Sequence, residues 1–158
     1  AVMAALQTGG VTYLAPFGNL QLFHPSGNAH DKPGWAVVSS YNPIECGTPT
    51  EWSDASVLMY ELTRRVAAPT WGNHARVWRI AHTHMCRERY SDDPFAKLNK
   101  RGTKIFFGSG WGRSVNDAPY DVYQVDLPQN WYQDLMGNMP PAASVSANPV
   151  SGTAPLTV

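Results

Sequence analysis

Short runs of β-branched and aromatic residues, each closed by Gly, Pro or Asn, recur along most of this 158-residue chain. Such runs are typical of β-strands, because branched and aromatic side chains fit a pleated surface while Gly, Pro and Asn favour turns. The segments with this character are 11–15, 20–24, 34–41, 75–86, 103–108 and 120–127. We therefore expect a mainly β domain, or an α+β domain, whose core is made by sheets.

The stretch from about residue 49 to residue 68 departs from this pattern and predicts a helix. Thr48 suits an N-cap, Pro49 suits the first helical position, and Glu51 completes a capping box with Thr48. Apolar residues then follow at helical spacing, namely Ala55, Leu58, Met59, Leu62 and Val66. We expect one amphipathic helix, about 49–68, packed on a sheet of a small sandwich or jelly-roll-like domain.

The composition of the chain changes after residue 139. Residues 1–139 have the length and apolar content of a single globular domain. Residues 140–158 hold no charged or aromatic residue and are rich in Pro, Ala and Ser, a composition that does not fold alone. We interpret 140–158 as a C-terminal arm that packs on another copy of the chain.

Charge is segregated along the chain although the net charge is zero. Residues 64–113 carry a net charge of +8 by count, and the remainder carries −8. A chain of this kind can make non-specific phosphate contacts with nucleic acid, or can meet a copy of itself through opposite charges. Alternatively, the charges intermix once the chain folds. The residues predicted for an interface or polyanion contact are Arg87, Arg89, Lys97, Lys100, Arg101, Lys104, Trp111 and Arg113.

Residues 108–113, GSGWGR, are the glycine-rich part of this basic span. A phosphate-binding glycine loop is followed by a helix whose N-terminus meets the phosphate, and here a strand segment comes next. We therefore interpret the stretch as a flexible loop that presents Trp111 and Arg113 to a partner.

The composition favours a protein whose surface is partly covered by partners. Charged residues make up 15% of the chain, below the usual quarter, and aromatic residues make up 11%. Large aromatic side chains are favoured at interfaces. The sequence contains no run of 18 apolar residues, so it predicts no membrane helix. The first ten residues lack the basic part of a signal peptide. We predict a structural assembly subunit of the viral coat, decoration or filament type, homo-oligomeric and without a cofactor.

The stretch AHTHMCRE, residues 81–88, carries the residues from which an alternative function follows. His82, His84, Cys86 and Glu88 occupy every second position, so on a strand they would share one face. His82, His84 and Cys86 could bind a metal, and with Glu88 the two histidines would suit a metal- or histidine-dependent hydrolase. We favour instead a pair of structural histidines that bind no metal and take no part in catalysis, because local spacing fixes only two metal ligands. We expect both histidines on the same face of the strand as Trp78.

Overall fold

The computed structural model describes residues 2–4, 11–13, 24–41, 51–68, 72–85, 92–113 and 120–136. Most of this described part is β-structure, which confirms the small β-rich domain expected from the sequence. Its strands are β1 (Val2–Ala4), β2 (Val11–Tyr13), β3 (His24–Ser26), β4 (Trp35–Ser39), β5 (Ser56–Ala68), β6 (Gly72–His82), β7 (Lys97–Leu98), β8 (Lys104–Ser109) and β9 (Asp121–Asp126). Its helix is α1 (Trp131–Met136), too short and polar to cross a membrane, and the described residues contain no helix that could.

The chain divides into two compact units, residues 1–127 and residues 128–158. The first unit contains the strands. In the second unit α1 follows a turn in which the Trp131 amide donates to the Pro128 carbonyl at 3.2 Å. The predicted arm, 140–158, lies outside the described residues, so its packing on another copy stays a prediction.

The strands of the first unit form antiparallel sheets in which neighbours along the chain are neighbours in space. β1 pairs with β2; β3, β4, β5 and β6 form a four-stranded sheet in that order, and β7, β8 and β9 form a three-stranded one. Buried hydrogen bonds join the two larger sheets: the Ala96 amide donates to Ser39 Oγ at 3.0 Å and the Leu98 amide to Ser26 Oγ at 3.3 Å. The β7 end of the three-stranded sheet is thereby fixed to β3 and β4.

The helix predicted for about 49–68 is wrong, because strand β5 runs through residues 56–68. Residues 56–61 are all buried, so both faces of β5 are covered. A strand covered on both faces accepts consecutive apolar residues, and its sequence then loses the alternation of a half-exposed strand. The apparent helical stripe through Leu58, Met59 and Leu62 is a consequence of that two-sided burial.

The described part of the predicted helix start, from Glu51 onward, is a turn, whereas Thr48 and Pro49 lie outside the described residues. Residues 51–55 form turns before β5, and the Glu51 amide donates to Asp54 Oδ2 at 2.9 Å. The Asp54 amide in return donates to the Glu51 carbonyl at 3.0 Å. Asp side chains stabilise turns and helix starts by the same bond to a nearby amide, so local sequence does not separate the two.

The four-stranded sheet has a different core on each face. One face buries Val38, Leu58, Tyr60 and Ala75, with Leu62 and Val77 packed at the margin. The other face carries Trp35 and Trp78, whose ring centroids lie 5.6 Å apart. The Arg76 guanidinium lies 4.8 Å from the Trp78 ring centroid and 3.6 Å from the buried Glu61 carboxylate, so this face holds its charges as a pair.

Alanine substitutions in β5 should lower the free energy of unfolding more at fully buried positions than at partly buried ones. We expect Leu58→Ala to lower the free energy of unfolding by about 2–5 kcal/mol, because Leu58 is fully buried and a cavity would remain. Leu62→Ala is the matched control on the same strand, and should cost less because Leu62 is only partly buried. Urea unfolding followed by circular dichroism measures both. Equal losses for the two variants would contradict the burial described for β5.

Candidate functional site

His82 and His84 lie where β6 ends. His82 is the last residue of β6 and pairs with Ser56, whereas His84 lies beyond the strand. Their ring centroids are 4.5 Å apart, and the His84 amide donates to His82 Nδ1 at 3.2 Å. His82 is half-buried and His84 is exposed. The structure thus brings the two predicted histidines together at one end of the four-stranded sheet.

The face predicted for these histidines is wrong because β6 contains an irregularity. Leu58 pairs with Arg79 but Val57 pairs with Ala81, which leaves Ile80 as an extra residue, as in a β-bulge. A residue inserted in one strand moves the following side chains to the opposite face. His82 therefore lies on the face of Arg79, away from Trp78. His84 leaves the strand alternation altogether, with φ of 50°.

The loop after β8 brings Trp111 to the same place. Trp111 is 48% exposed, and its amide donates to Ser109 Oγ at 2.9 Å. The Gly112 amide donates to the His84 carbonyl at 2.5 Å, which links this loop to the end of β6. Gly110 is required because a Cβ there would lie 2.9 Å from the Arg113 carbonyl oxygen. The predicted loop that presents Trp111 is therefore a hydrogen-bonded turn.

Aromatic rings connect these elements in a row. The His84 and Trp111 centroids lie 4.4 Å apart, and those of Trp111 and Tyr123 lie 4.8 Å apart with their planes inclined by 29°. Tyr123 in turn stacks on the buried Phe107 at 5.6 Å. We call His82, His84, Trp111 and Tyr123 the aromatic strip. It joins β6, the loop after β8 and β9, and it reaches the surface at His84 and Trp111.

Two of the four non-glycine residues with positive φ in the described part of the chain belong to the exposed part of the strip; the other two are Ala55 and Phe95. His84 and Trp111 have φ of 50° and 53°, in the left-handed region that residues other than glycine seldom adopt. A non-glycine residue in that region costs on the order of 1 kcal/mol or more, and such residues cluster at functional sites. Two of them in direct ring contact single out this pair as the centre of a candidate site.

Arginines flank the aromatic strip. Arg79 is exposed, and its Nη1 donates to the Trp52 carbonyl at 3.0 Å. Arg113 is exposed; its Nε donates to the Gly110 carbonyl at 3.0 Å, and its Nη2 lies 3.8 Å from Asp121 Oδ2. Both guanidinium groups are thus positioned by backbone carbonyls and leave part of their surface open. The site combines ring surfaces with fixed cations.

The other predicted interface residues are divided between the two ends of β8. Lys97, Lys100, Arg101 and Lys104 lie around the β7–β8 turn, whereas Trp111 and Arg113 follow the opposite end of β8. Several of these cations meet acidic residues from outside the basic span: Lys100 lies 3.7 Å from Asp31, Lys104 bonds to Asp126, and Arg113 approaches Asp121. The segregated charges of the sequence are therefore partly paired within the fold. Arg87 and Arg89 lie outside the described residues.

The metal and hydrolase alternatives stay predictions. Cys86 and Glu88, which would complete the two proposed sets with His82 and His84, lie outside the described residues. Within the part of the chain that the structure describes, no group of three potential metal-ligating side chains converges.

A histidine–aspartate pair, His24 and Asp93, lies in the same unit and was not foreseen from the sequence. His24 Nε2 lies 2.9 Å from Oδ2 of the buried Asp93, and the His24 ring packs 4.2 Å from that of Phe95. The two residues are 69 positions apart, so no local pattern could reveal them. Tyr123 of the aromatic strip was missed for the same reason, since its contact with Trp111 depends on the β8–β9 pairing.

Comparison with known proteins finds no matching family model, no matching curated protein and no matching solved structure. The site is therefore interpreted from its own geometry.

His82 should make stability depend on pH. Partial burial lowers the pKa of His82, and the neighbouring His84 and Arg79 lower it further. The unfolded chain then takes up the proton first, so the free energy of unfolding should fall as pH drops below about 6.5. Protonation would also remove the Nδ1 acceptor that binds the His84 amide.

The measurement is urea unfolding of the wild type and of His82→Asn between about pH 5 and 8. Asn keeps an acceptor near the position of Nδ1 but does not titrate, so its profile should be flatter than that of the wild type. His30→Asn replaces an exposed histidine elsewhere and serves as the control for the substitution itself. A difference between wild type and His82→Asn that is constant with pH would contradict the shifted pKa.

Proposed function

We propose that the chain is a structural assembly subunit whose copies dock through the aromatic strip. The observation that carries the proposal is the state of Trp111, which is 48% exposed and yet held between His84 and Tyr123. An indole that is already fixed loses little conformational freedom when a partner covers it. A docking surface benefits from an indole held at a fixed and partly exposed position, and strained backbone positions cluster at functional sites of this kind.

The composition of the site supports contact with protein. Trp, Tyr and Arg are the residue types that dominate binding energy at protein interfaces, and here Trp111, Tyr123 and Arg113 lie together. Arg113 is placed by the same turn as Trp111, because its amide and its Nε both donate to the Gly110 carbonyl. A partner that packs on the indole would therefore meet a positioned guanidinium beside it.

The arrangement of charges favours a second copy of the chain as the partner, rather than nucleic acid. Basic side chains around the β7–β8 turn and beside Trp111 approach carboxylates of Asp31, Asp126 and Asp121. Paired cations contribute less to a field that would attract a polyanion. A surface with both signs of charge instead suits another surface with both signs, such as a second copy of the chain.

Substitution of Trp111 tests the proposal. We expect the wild type to have a mass above 17.4 kDa in size-exclusion chromatography with light scattering. Trp111→Ala should weaken association by at least about 2 kcal/mol, roughly 30-fold, as removal of an interface hot spot does. Trp111→Phe keeps a ring in the strip and should retain part of the association.

Trp52→Ala is the matched control, because Trp52 is also 48% exposed but lies outside the aromatic strip. Circular dichroism verifies that each variant is folded. A wild type that stays at 17.4 kDa at every concentration would refute the assembly function. Equal effects of Trp111→Ala and Trp52→Ala would show instead that the strip is not the docking surface.

A further inference from the structure

Among the described residues, strand β9 is paired on only one side of its backbone. It is an outer strand of its sheet, since β8 pairs with it on one side and no strand of the described residues pairs with it on the other. The Leu127 amide donates to the Thr103 carbonyl at 2.8 Å, so positions 127 and 103 face each other as a hydrogen-bonded pair. Such pairs alternate along an antiparallel ladder. Tyr123 and Val125 therefore direct their backbone groups toward β8.

The same alternation identifies the open backbone groups. Val122, Gln124 and Asp126 lie opposite Gly108, Phe106 and Lys104 in the register, as the non-hydrogen-bonded pairs. Their amides and carbonyls consequently point away from β8, toward the free edge. Val122 is 76% exposed, and Gln124 and Asp126 are exposed as well, in agreement with an uncovered edge.

β9 lacks most of the features that protect an edge strand. Protected edge strands contain charged side chains, above all Lys, or contain Pro or a bulge, or are very short. The charges of β9 lie only at its two end residues, Asp121 and Asp126. β9 is six residues long, contains neither Lys nor Pro, and pairs with β8 in a continuous register. Its residues include Val122, Tyr123 and Val125, which favour extended structure. The edge is therefore competent to extend the sheet.

We propose that β9 pairs with β9 of a second copy, antiparallel, across a two-fold axis at Gln124. This inference rests on the proposed assembly function and names one of its contacts. In this register Gln124 faces Gln124 of the other copy, and Val122 faces Asp126. Val122, Gln124 and Asp126 of each strand then all form backbone hydrogen bonds with the other copy. The three residue pairs form two hydrogen bonds each, which gives about six in total. Two three-stranded sheets become one of six strands.

The side chains of β9 are complementary to themselves in this register. Tyr123 faces Val125 of the other copy, and aromatic residues opposite β-branched ones stabilise a sheet. Asp121 falls opposite Leu127, and Asp126 falls opposite Val122, so no carboxylate faces another. Moving the axis to Asp126 would set that carboxylate against its own copy, which is destabilising. Within each copy Lys104 already forms an ion pair with Asp126, and its positive charge offsets that of the carboxylate.

The backbone geometry allows a substitution that affects only the new contact. Gln124→Pro removes an amide that points to the free edge, so the β8–β9 ladder keeps its bonds, as proline on an outer strand edge permits. By symmetry two bonds of the β9–β9 contact are lost, and we expect the dissociation constant of the dimer to rise by about tenfold or more. Gln124→Thr keeps the amide and is the control, with little change expected. Analytical ultracentrifugation measures the two constants.

Hydrogen exchange of the wild-type chain provides an independent readout. The amides of Val122, Gln124 and Asp126 should become protected as concentration rises through the dimer range, and those of Tyr123 and Val125 should be protected throughout. If the wild type never associates, the proposed assembly function fails. If it associates while Gln124→Pro behaves as Gln124→Thr does, the β9 contact is wrong and the function stands. Protection of all five amides in the monomer would mean that another segment of the same chain occupies the edge, which also refutes the contact.

Discussion

The burial of β5 on both faces is the constraint on which the rest of this unit depends. Every residue from 56 to 61 is withdrawn from solvent, so both surfaces of the four-stranded sheet must be covered. One face is filled by the cluster around Leu58 and Tyr60, and the other holds Trp35, Trp78 and the Arg76–Glu61 pair. Because β6 pairs with β5 along this buried stretch, the end of β6 is fixed, and the aromatic strip begins at that fixed end.

The same constraint explains which part of the fold could be predicted from the sequence. The segments 34–41, 103–108 and 120–127 were recognisable because turn residues bound them and their β-branched and aromatic content is high; they correspond to β4, β8 and β9. The sequence of β5 imitates a helix, since two-sided burial removes the alternation by which a strand is recognised. Glu51, which the sequence pattern assigns to a helix start, belongs to a turn closed by Asp54. Both errors come from local patterns that tertiary burial reinterprets.

The sequence singles out three of the four residues of the aromatic strip, but neither Tyr123 nor the arrangement of the four. His82, His84, Trp111 and Arg113 were selected for their chemistry and exposure, and the first three lie in one row of rings. Their arrangement depends on the irregularity at Ile80, on two left-handed backbone positions and on the pairing of β8 with β9. None of these has a signal in the spacing of residues 81–88. Strand alternation alone put the histidines on the wrong face for that reason.

The aromatic strip and the β9 edge would have different consequences for assembly. A contact between identical β9 strands is its own complement and ends with two copies, because each edge is used once. A copy that brought a different part of its surface to the aromatic strip would form a heterologous contact. A heterologous contact of that kind repeats until a ring closes or a filament grows. If a chain forms both kinds of contact, its dimers are joined into larger particles. Tyr123 belongs both to the aromatic strip and to β9, so it would couple the formation of one contact to the formation of the other.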